Sequence, residues 1–271
     1  MQTAVVTGAG RGIGREITRL LGERGLAVLA TDVDQRLAEE TALLCGDPAW
    51  SMKLDVRDPE AHVAIAAAAR ERGPIAVWVN NAAVLRTGPA WDHSQEDLRL
   101  MVDTNVLGVI LGSTAAVEAM PDGGDILNIA SEASFTPPPG MAIYASTKHA
   151  VLGFSLALRA DLERIRSPLR VHVFCPGAVD TEMVWENAES EHSAAIFGSG
   201  KPLPAADVAA AAVSLVGSGK ALATYPRLML AIPHLLSVWP RLSLRLVKLA
   251  TLVGEPARRR AREKHFGKPV I

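Results

Sequence analysis

Hydrophobic residues along the first two thirds of the chain fall into two alternating patterns. Short apolar, β-branched runs occur at 3–7, 27–31, 52–54, 75–79, 125–130 and 171–174. Several are apolar throughout, as strands buried on both faces of a parallel sheet must be. Between them lie amphipathic or alanine-rich stretches at 12–23, 35–44, 59–70, 95–120 and 142–164, which predict helices. This alternation implies right-handed crossovers and an α/β architecture: a doubly wound parallel sheet with helices on both sides.

Beyond Pro176 the pattern changes. Residues 178–203 are mixed and polar, and they predict a loop or lid with short helices. A helix follows at 204–217, with Pro at its start and Gly at its end, and then a short strand at 221–225. Residues 226–271 form a leucine-rich, basic extension. No repeat or low-complexity linker divides the chain, so residues 1–271 are expected to form a single domain with a C-terminal helical extension.

Composition narrows the class. With 271 residues, 49% hydrophobic and 21% charged, the chain is long and apolar enough for a substantial core and is not disordered. Cys45 and Cys175 are too few for a disulfide scaffold and suit a reducing compartment. The N-terminus lacks the basic region of a signal peptide, and no uncharged apolar run reaches about 18 residues, so a cytoplasmic location is expected. A formal net charge of −1 argues against nucleic acid as a partner. The basic charge is concentrated at the end, where residues 241–271 hold nine Lys/Arg and two acids.

Candidate chemistry begins at Thr7-Gly8-Ala9-Gly10-Arg11-Gly12-Ile13-Gly14, at the end of the first strand and opening the first helix. Glycines there let the backbone approach a pyrophosphate, and the helix N-terminus supplies free N–H groups and partial positive charge. This is the arrangement of a Rossmann-type nucleotide site. Asp32 ends the second strand, placed to accept from the adenosine ribose hydroxyls and to repel a 2′-phosphate, which favours NAD over NADP. Arg11 and Arg36 keep NADP in contention as partners for that phosphate. The competing role for Asp32 is to cap the next helix.

These motifs, together with those further on, resemble the short-chain dehydrogenase/reductase family over roughly residues 1–181. Gly8, Gly12, Ile13 and Gly14 match its cofactor loop. Asp55-Val56 matches its adenine contact, and Asn80-Asn81-Ala82-Ala83 resembles its N-N-A-G turn. Asn105, Ser131, Tyr144 and Lys148 match its catalytic set, with the usual serine-to-tyrosine gap and Y-x-x-x-K. Pro176-Gly177, Val179 and Thr181 resemble the segment that meets the nicotinamide. Ala83 departs from the pattern, at a cost of about 1 kcal/mol if its φ is positive.

Tyr144 and Lys148 are four apart, so a helix sets them about 6 Å apart along its axis. A neighbouring ammonium is expected to lower the phenol pKa and fit Tyr144 for proton exchange with an alcohol or carbonyl. By resemblance, Lys148 also holds the nicotinamide ribose. Ser131, at the carboxyl edge of a strand, is expected to donate to the substrate oxygen, with Ser134 as its rival. Asn105 is expected to link Lys148 to a water chain. Neither the histidines nor the cysteines show ligand spacing, so no metal is expected.

The resemblance implies interconversion of a secondary alcohol and a ketone, in a homodimer or homotetramer. Met183, Val184, Trp185, Ile196 and Phe197 in the lid region favour a hydrophobic substrate, lipid-, steroid- or terpenoid-like. From Pro240 onward, Leu242, Leu246, Leu249 and Val253 form one helical stripe, and Arg241, Arg245 and Lys248 another. Arg258, Arg259, Arg260 and Arg262 follow. This reads either as an interfacial helix with an anionic-surface contact, making a peripheral membrane enzyme, or as a helix covering the pocket or a subunit interface. A non-catalytic dinucleotide sensor or scaffold on the same fold is the rival from another class.

Overall fold

The computed structural model describes residues 1–136, 138–198, 200–226 and 240–266; within the last stretch, the side chains at 240–243, 246, 247, 249, 250 and 266 are not described. Its centre is a seven-stranded, wholly parallel sheet in the order β3-β2-β1-β4-β5-β6-β7. The strands are β1 Thr3–Thr7, β2 Ala27–Asp32, β3 Trp50–Lys53, β4 Ile75–Asn80, β5 Gly124–Ile129, β6 Leu169–Pro176 and β7 Leu222–Tyr225. The third strand begins two residues earlier than the apolar run suggests. Trp50 pairs with Leu29 and stacks under the Arg72 guanidinium, which draws this edge strand into register.

Alternation along the strands divides the core between two faces, since successive side chains point oppositely. Ala4, Val6, Val28, Ala30, Val77, Val79, Leu127 and Phe174 pack against α1 (Gly12–Glu23) and α8 (Ala205–Val213). Val5, Leu29, Trp78, Ile126 and Val171 pack against α3 (Pro59–Arg72), α5 (Gly108–Ala119) and α6 (Ala142–Arg164). Helix starts are written in the sequence. Asp34 caps α2 (Gln35–Cys45), Asp58 caps α3, and Ser94 caps α4 (Gln95–Val102), each accepting from backbone N–H groups of the first turn. The capping role considered for Asp32 therefore belongs to Asp34.

Residues 95–120 are not one regular helix. A π-turn at Asp103–Leu107 separates α4 from α5, and Asn105 lies within it. By length and apolarity the stretch 95–119 is able to cross a bilayer, yet half of its apolar window is buried in the fold, as in a core helix. The lid region contains α7 (Glu182–Asn187) and a 3₁₀ segment at Glu191–Phe197. The last helix, α9 (Pro240–Phe266), continues through Pro256 to include the arginines that the sequence suggests as a tail. Of the stripe expected on it, Val253 is exposed; the side chains of Arg241, Leu242, Leu246 and Leu249 lie outside the described residues.

Candidate active site

Strand order reverses between β1, from which the chain winds outward to β2 and β3, and β4, from which it winds the other way to β7. Open α/β sheets form a crevice at such a switch point, beyond the carboxyl ends of the strands. Here that crevice is a cleft of about 470 Å³, within the range of small-molecule sites. All the site residues expected from the sequence line it except Gly14 and Asn105.

The cofactor half is built around the first turn. Gly8 has φ +61°, and a Cβ there would stand 2.7 Å from Ala82 Cα; a Cβ on Gly14 would stand 2.1 Å from the Gly8 carbonyl oxygen. Gly14 therefore sits under the loop as a spacer, not at its surface. Thr7 and Asn81 fix the loop against β4. The Thr7 hydroxyl accepts from the Asn81 and Ala82 N–H groups at 3.0 and 3.1 Å, and Asn81 Nδ2 donates to the Thr7 and Gly8 carbonyls. Unlike α2 to α4, α1 has no side-chain cap, and its first turn holds no acid, so its N–H groups are left without a side-chain partner beside the cleft. A glycine cradle closed to any side chain, open at a helix N-terminus, fits a pyrophosphate.

Asp32 accepts from Gly10 N at 3.0 Å and from Asp34 N, and its carboxylate also borders the cleft. Arg57 forks both oxygens of Asp55, holding that carboxyl below its ordinary pKa, so Asp55 borders the cleft as a paired acid. Arg11 pairs with Glu186 on α7 at 2.7 Å, and Arg36 pairs with Glu40 in solvent, so each already has a carboxylate partner. Ala83 is not strained: among the described residues only Arg166 is a non-glycine with positive φ.

The chemical half lies where β5 and α6 meet the cleft. Ser131 follows β5, and Tyr144 and Lys148 descend one face of α6. Ser134 is excluded as a rival, because its hydroxyl is buried and donates to the Lys148 carbonyl at 2.8 Å. Lys148 is buried, and its Nζ donates to the Ile129 carbonyl at 3.0 Å and stands 5.7 Å from the Tyr144 ring centre.

The electrostatics of this half differ from expectation. Burial pushes the Tyr144 phenol up to about 12, although the Ser131 hydroxyl works in the opposite direction and Glu132 adds to the rise. Burial lowers Lys148 to about 8. Without a ligand, desolvation therefore outweighs the cation expected to lower the phenol. Asn105 sits within the π-turn that separates α4 from α5. Its Oδ1 accepts from Val84 N, and its Nδ2 donates to the Val84 carbonyl and to Thr147 Oγ1 at 3.1 Å. The side chain is spent on bracing the strand exit and α6, and no hydrogen bond joins it to Lys148.

Pro176 closes β6, Gly177 donates to the Tyr225 carbonyl, and Val179 bridges to Leu203, so the chain enters the lid along a fixed path. A Cβ on Gly12 would lie 2.9 Å from Thr181 Cγ2, which seats the lid entry on the cofactor loop. Met183, Val184 and Ile196 line the cleft; Trp185 instead stacks on His265 of α9 with ring centres 4.0 Å apart. Arg258 is buried, donates to the Ala188 carbonyl at 2.9 Å and pairs with Glu255, so it forms no part of an anionic-surface contact.

The sequence reading places Thr7 in the cofactor-loop motif but missed the role of its hydroxyl, which pins that loop to Asn81 and Ala82. It also missed the buried network in which Asn80 Nδ2 donates to Asn128 Oδ1 and Ser113 Oγ, tying β4, β5 and α5 beneath the site. Glu132 escaped notice too, because nothing in its local pattern distinguishes it from a solvated acid.

A parallel sheet with this cradle and a Ser/Tyr/Lys cluster at its switch point defines a dinucleotide-binding redox enzyme scaffold. The short chain dehydrogenase family model matches residues 2–192, and the protein belongs to that family of oxidoreductases. An uncharacterized oxidoreductase of Staphylococcus saprophyticus is 34% identical over 186 residues, covering 67% of this chain and 76% of the relative. Oxidoreductase UcpA of Escherichia coli is 33% identical over 188 residues, covering 67% and 71%. A short chain dehydrogenase/reductase from Burkholderia phymatum, solved in complex with NAD, superposes with TM-score 0.81 at 28% identity, over 89% of this chain and 94% of that one.

Proposed function

We propose that the protein interconverts a secondary alcohol and a ketone with NAD as the redox partner, on a largely apolar substrate. The observation carrying this reading is the convergence of Ser131, Tyr144 and Lys148 at the cleft wall facing the glycine cradle. NAD supplies hydride acceptance or donation at its nicotinamide ring. The chain's own residues do the rest. The loop at Gly8 to Ile13 and the N-terminus of α1 hold the phosphates, and Asp32 holds the adenosine ribose. Asp55, Val56, Ala82, Ala83, Pro176, Gly177, Val179 and Thr181 form the remaining walls.

Ser131 donates a hydrogen bond to the substrate oxygen as negative charge develops on it. Tyr144 exchanges the proton with that oxygen: it donates to a carbonyl in reduction and accepts from an alcohol in oxidation. Burial holds the phenol in its protonated form at neutral pH, the form that donates in the reductive direction. Lys148, partly neutral near neutral pH, supports the ribose end and carries charge behind the phenol. Asn105 acts as a positioning residue through Val84 and Thr147. Choice of NAD over NADP rests on Asp32 and on the partnered state of Arg11 and Arg36.

Titration with NADH and NADPH, followed by assay of wild type and Tyr144→Phe on lipophilic alcohols and ketones, tests the proposal. Tight NADH binding with turnover that depends on Tyr144 is expected. Binding without turnover across the panel favours the sensor, and full activity in Tyr144→Phe overturns the mechanism.

Two partner surfaces accompany this reading. Exposed Val102, Leu107 and Leu156 on the α4–α6 layer favour association into a dimer or tetramer, which light scattering measures. On α9, Leu244, Leu252 and Val253 are exposed beside Arg245 and Lys248, which favours contact with an anionic membrane by the helix's outer face. Flotation with liposomes, with and without residues 240–271, decides the second.

A further inference from the structure

The substrate half of the cleft is lined by Leu85, Leu100, Met141, Val184 and Ile196, and one carboxylate stands among them: Glu132, directly after Ser131. The other acids bordering the cleft belong to its cofactor half, where Asp32 and Asp55 lie and where Glu182 faces Gly12. Among the described residues, no side-chain or backbone donor meets the Glu132 carboxyl, which is partly exposed to the cleft, and partial loss of water raises its pKa to about 7. It stands close enough to Tyr144 for its charge to act on the phenol. A carboxylate held in apolar surroundings without a partner costs free energy, and a ligand that brings the missing charge recovers it. A hydroxyl supplies a hydrogen bond but leaves the charge uncompensated; an ammonium supplies both.

We propose that Glu132 is a binding subsite for a protonated amine carried by the substrate close to its reacting carbon. The substrate class is then an amphiphilic amino ketone or amino alcohol whose remainder fills the apolar wall. This deepens the redox reading above and rests on it.

The test is a set of matched probes: octylamine, octanol and octanoate, titrated calorimetrically into NADH-saturated protein near pH 8, where the amine is charged. Octylamine is expected to bind about tenfold tighter than octanol, with octanoate weakest. Glu132→Gln is expected to bring octylamine to the affinity of octanol. An amine no tighter than the alcohol in wild type, no measurable amine binding, or an amine preference that survives in a folded Glu132→Gln overturns the proposal. The wild-type ordering decides the matter by itself if the variant does not fold. NADH binding, followed separately by its fluorescence, distinguishes the two failures: NADH bound with amine ignored removes the subsite alone, and NADH unbound removes the redox reading.

Discussion

Lys148 Nζ donates to the Ile129 carbonyl, so the one buried ammonium of the site is anchored to the last residue of β5 and not to a carboxylate. The arrangement sacrifices stability for position, because a buried cation with a neutral partner is incompletely repaid for its lost hydration.

Replacing it exposes that trade. Lys148→Met is expected to lower kcat/KM by about 100-fold or more, while its Tm equals or exceeds that of wild type. The pH dependence has a definite sign. The folded-state pKa of about 8 lies below the unfolded 10.5, so the unfolded chain binds more protons between these values and wild-type stability gains from this group as pH rises through that window. Thermal unfolding as a function of pH should lose this component in Lys148→Met.

Tyr144→Phe removes the proton donor and leaves the ring in place. Turnover should fall by about 100- to 10,000-fold, with NADH affinity changed by less than about twofold. Steady-state kinetics with fluorescence titration separates the two effects. A large loss of NADH binding would instead make Tyr144 a structural wall of the cleft.

At Gly14 there is no room for a methyl group, since it would lie 2.1 Å from the Gly8 carbonyl oxygen. Gly14→Ala should destabilise the fold by about 1–3 kcal/mol and abolish NADH binding. Gly22→Ala in the same helix, where a Cβ meets nothing, should do neither and serves as the control.

Far from the cleft, Arg170 and His172 hold Asp125 through three hydrogen bonds at the opposite end of β5. Burial alone raises this carboxyl, but those bonds prevail and hold its pKa well below the usual value. A depressed carboxylate stabilises the fold above its unfolded pKa and loses that contribution as pH falls toward the folded one. Asp125→Asn should therefore cost about 3 kcal/mol at neutral pH, with the difference from wild type shrinking below about pH 4. Denaturant melts at the two pH values check this.

Arg258 joins α9 to the lid through the Ala188 carbonyl. Arg258→Ala should leave that carbonyl unpaired and Glu255 with Arg259 alone, and loosen the helix by about 1–3 kcal/mol. Limited proteolysis within 240–266 should accelerate at unchanged global Tm.

The parallel sheet, the glycine turn and the tyrosine–lysine pair are legible in the sequence because each depends on neighbours a few positions apart. Apolar runs mark buried strands, capping residues mark helix starts, and a four-residue spacing puts two side chains on one helix face. The division of labour between Ser131 and Ser134 is different in kind. Both follow the same strand, and only packing against α6 turns Ser134 to a backbone carbonyl and leaves Ser131 in the cleft. Arg258 and Arg260 read alike as tail charges, yet the fold buries one and exposes the other.

Sequence by itself determined the strands and helices, the glycine loop and the spacing that brings Tyr144 and Lys148 to one helix face. Tertiary structure alone decided the electrostatics of the cleft: burial raises the pKa of Tyr144, lowers that of Lys148 and leaves Glu132 without a partner among the described residues. The physical reason is that desolvation depends on what every other element places around a group, and no local spacing records that.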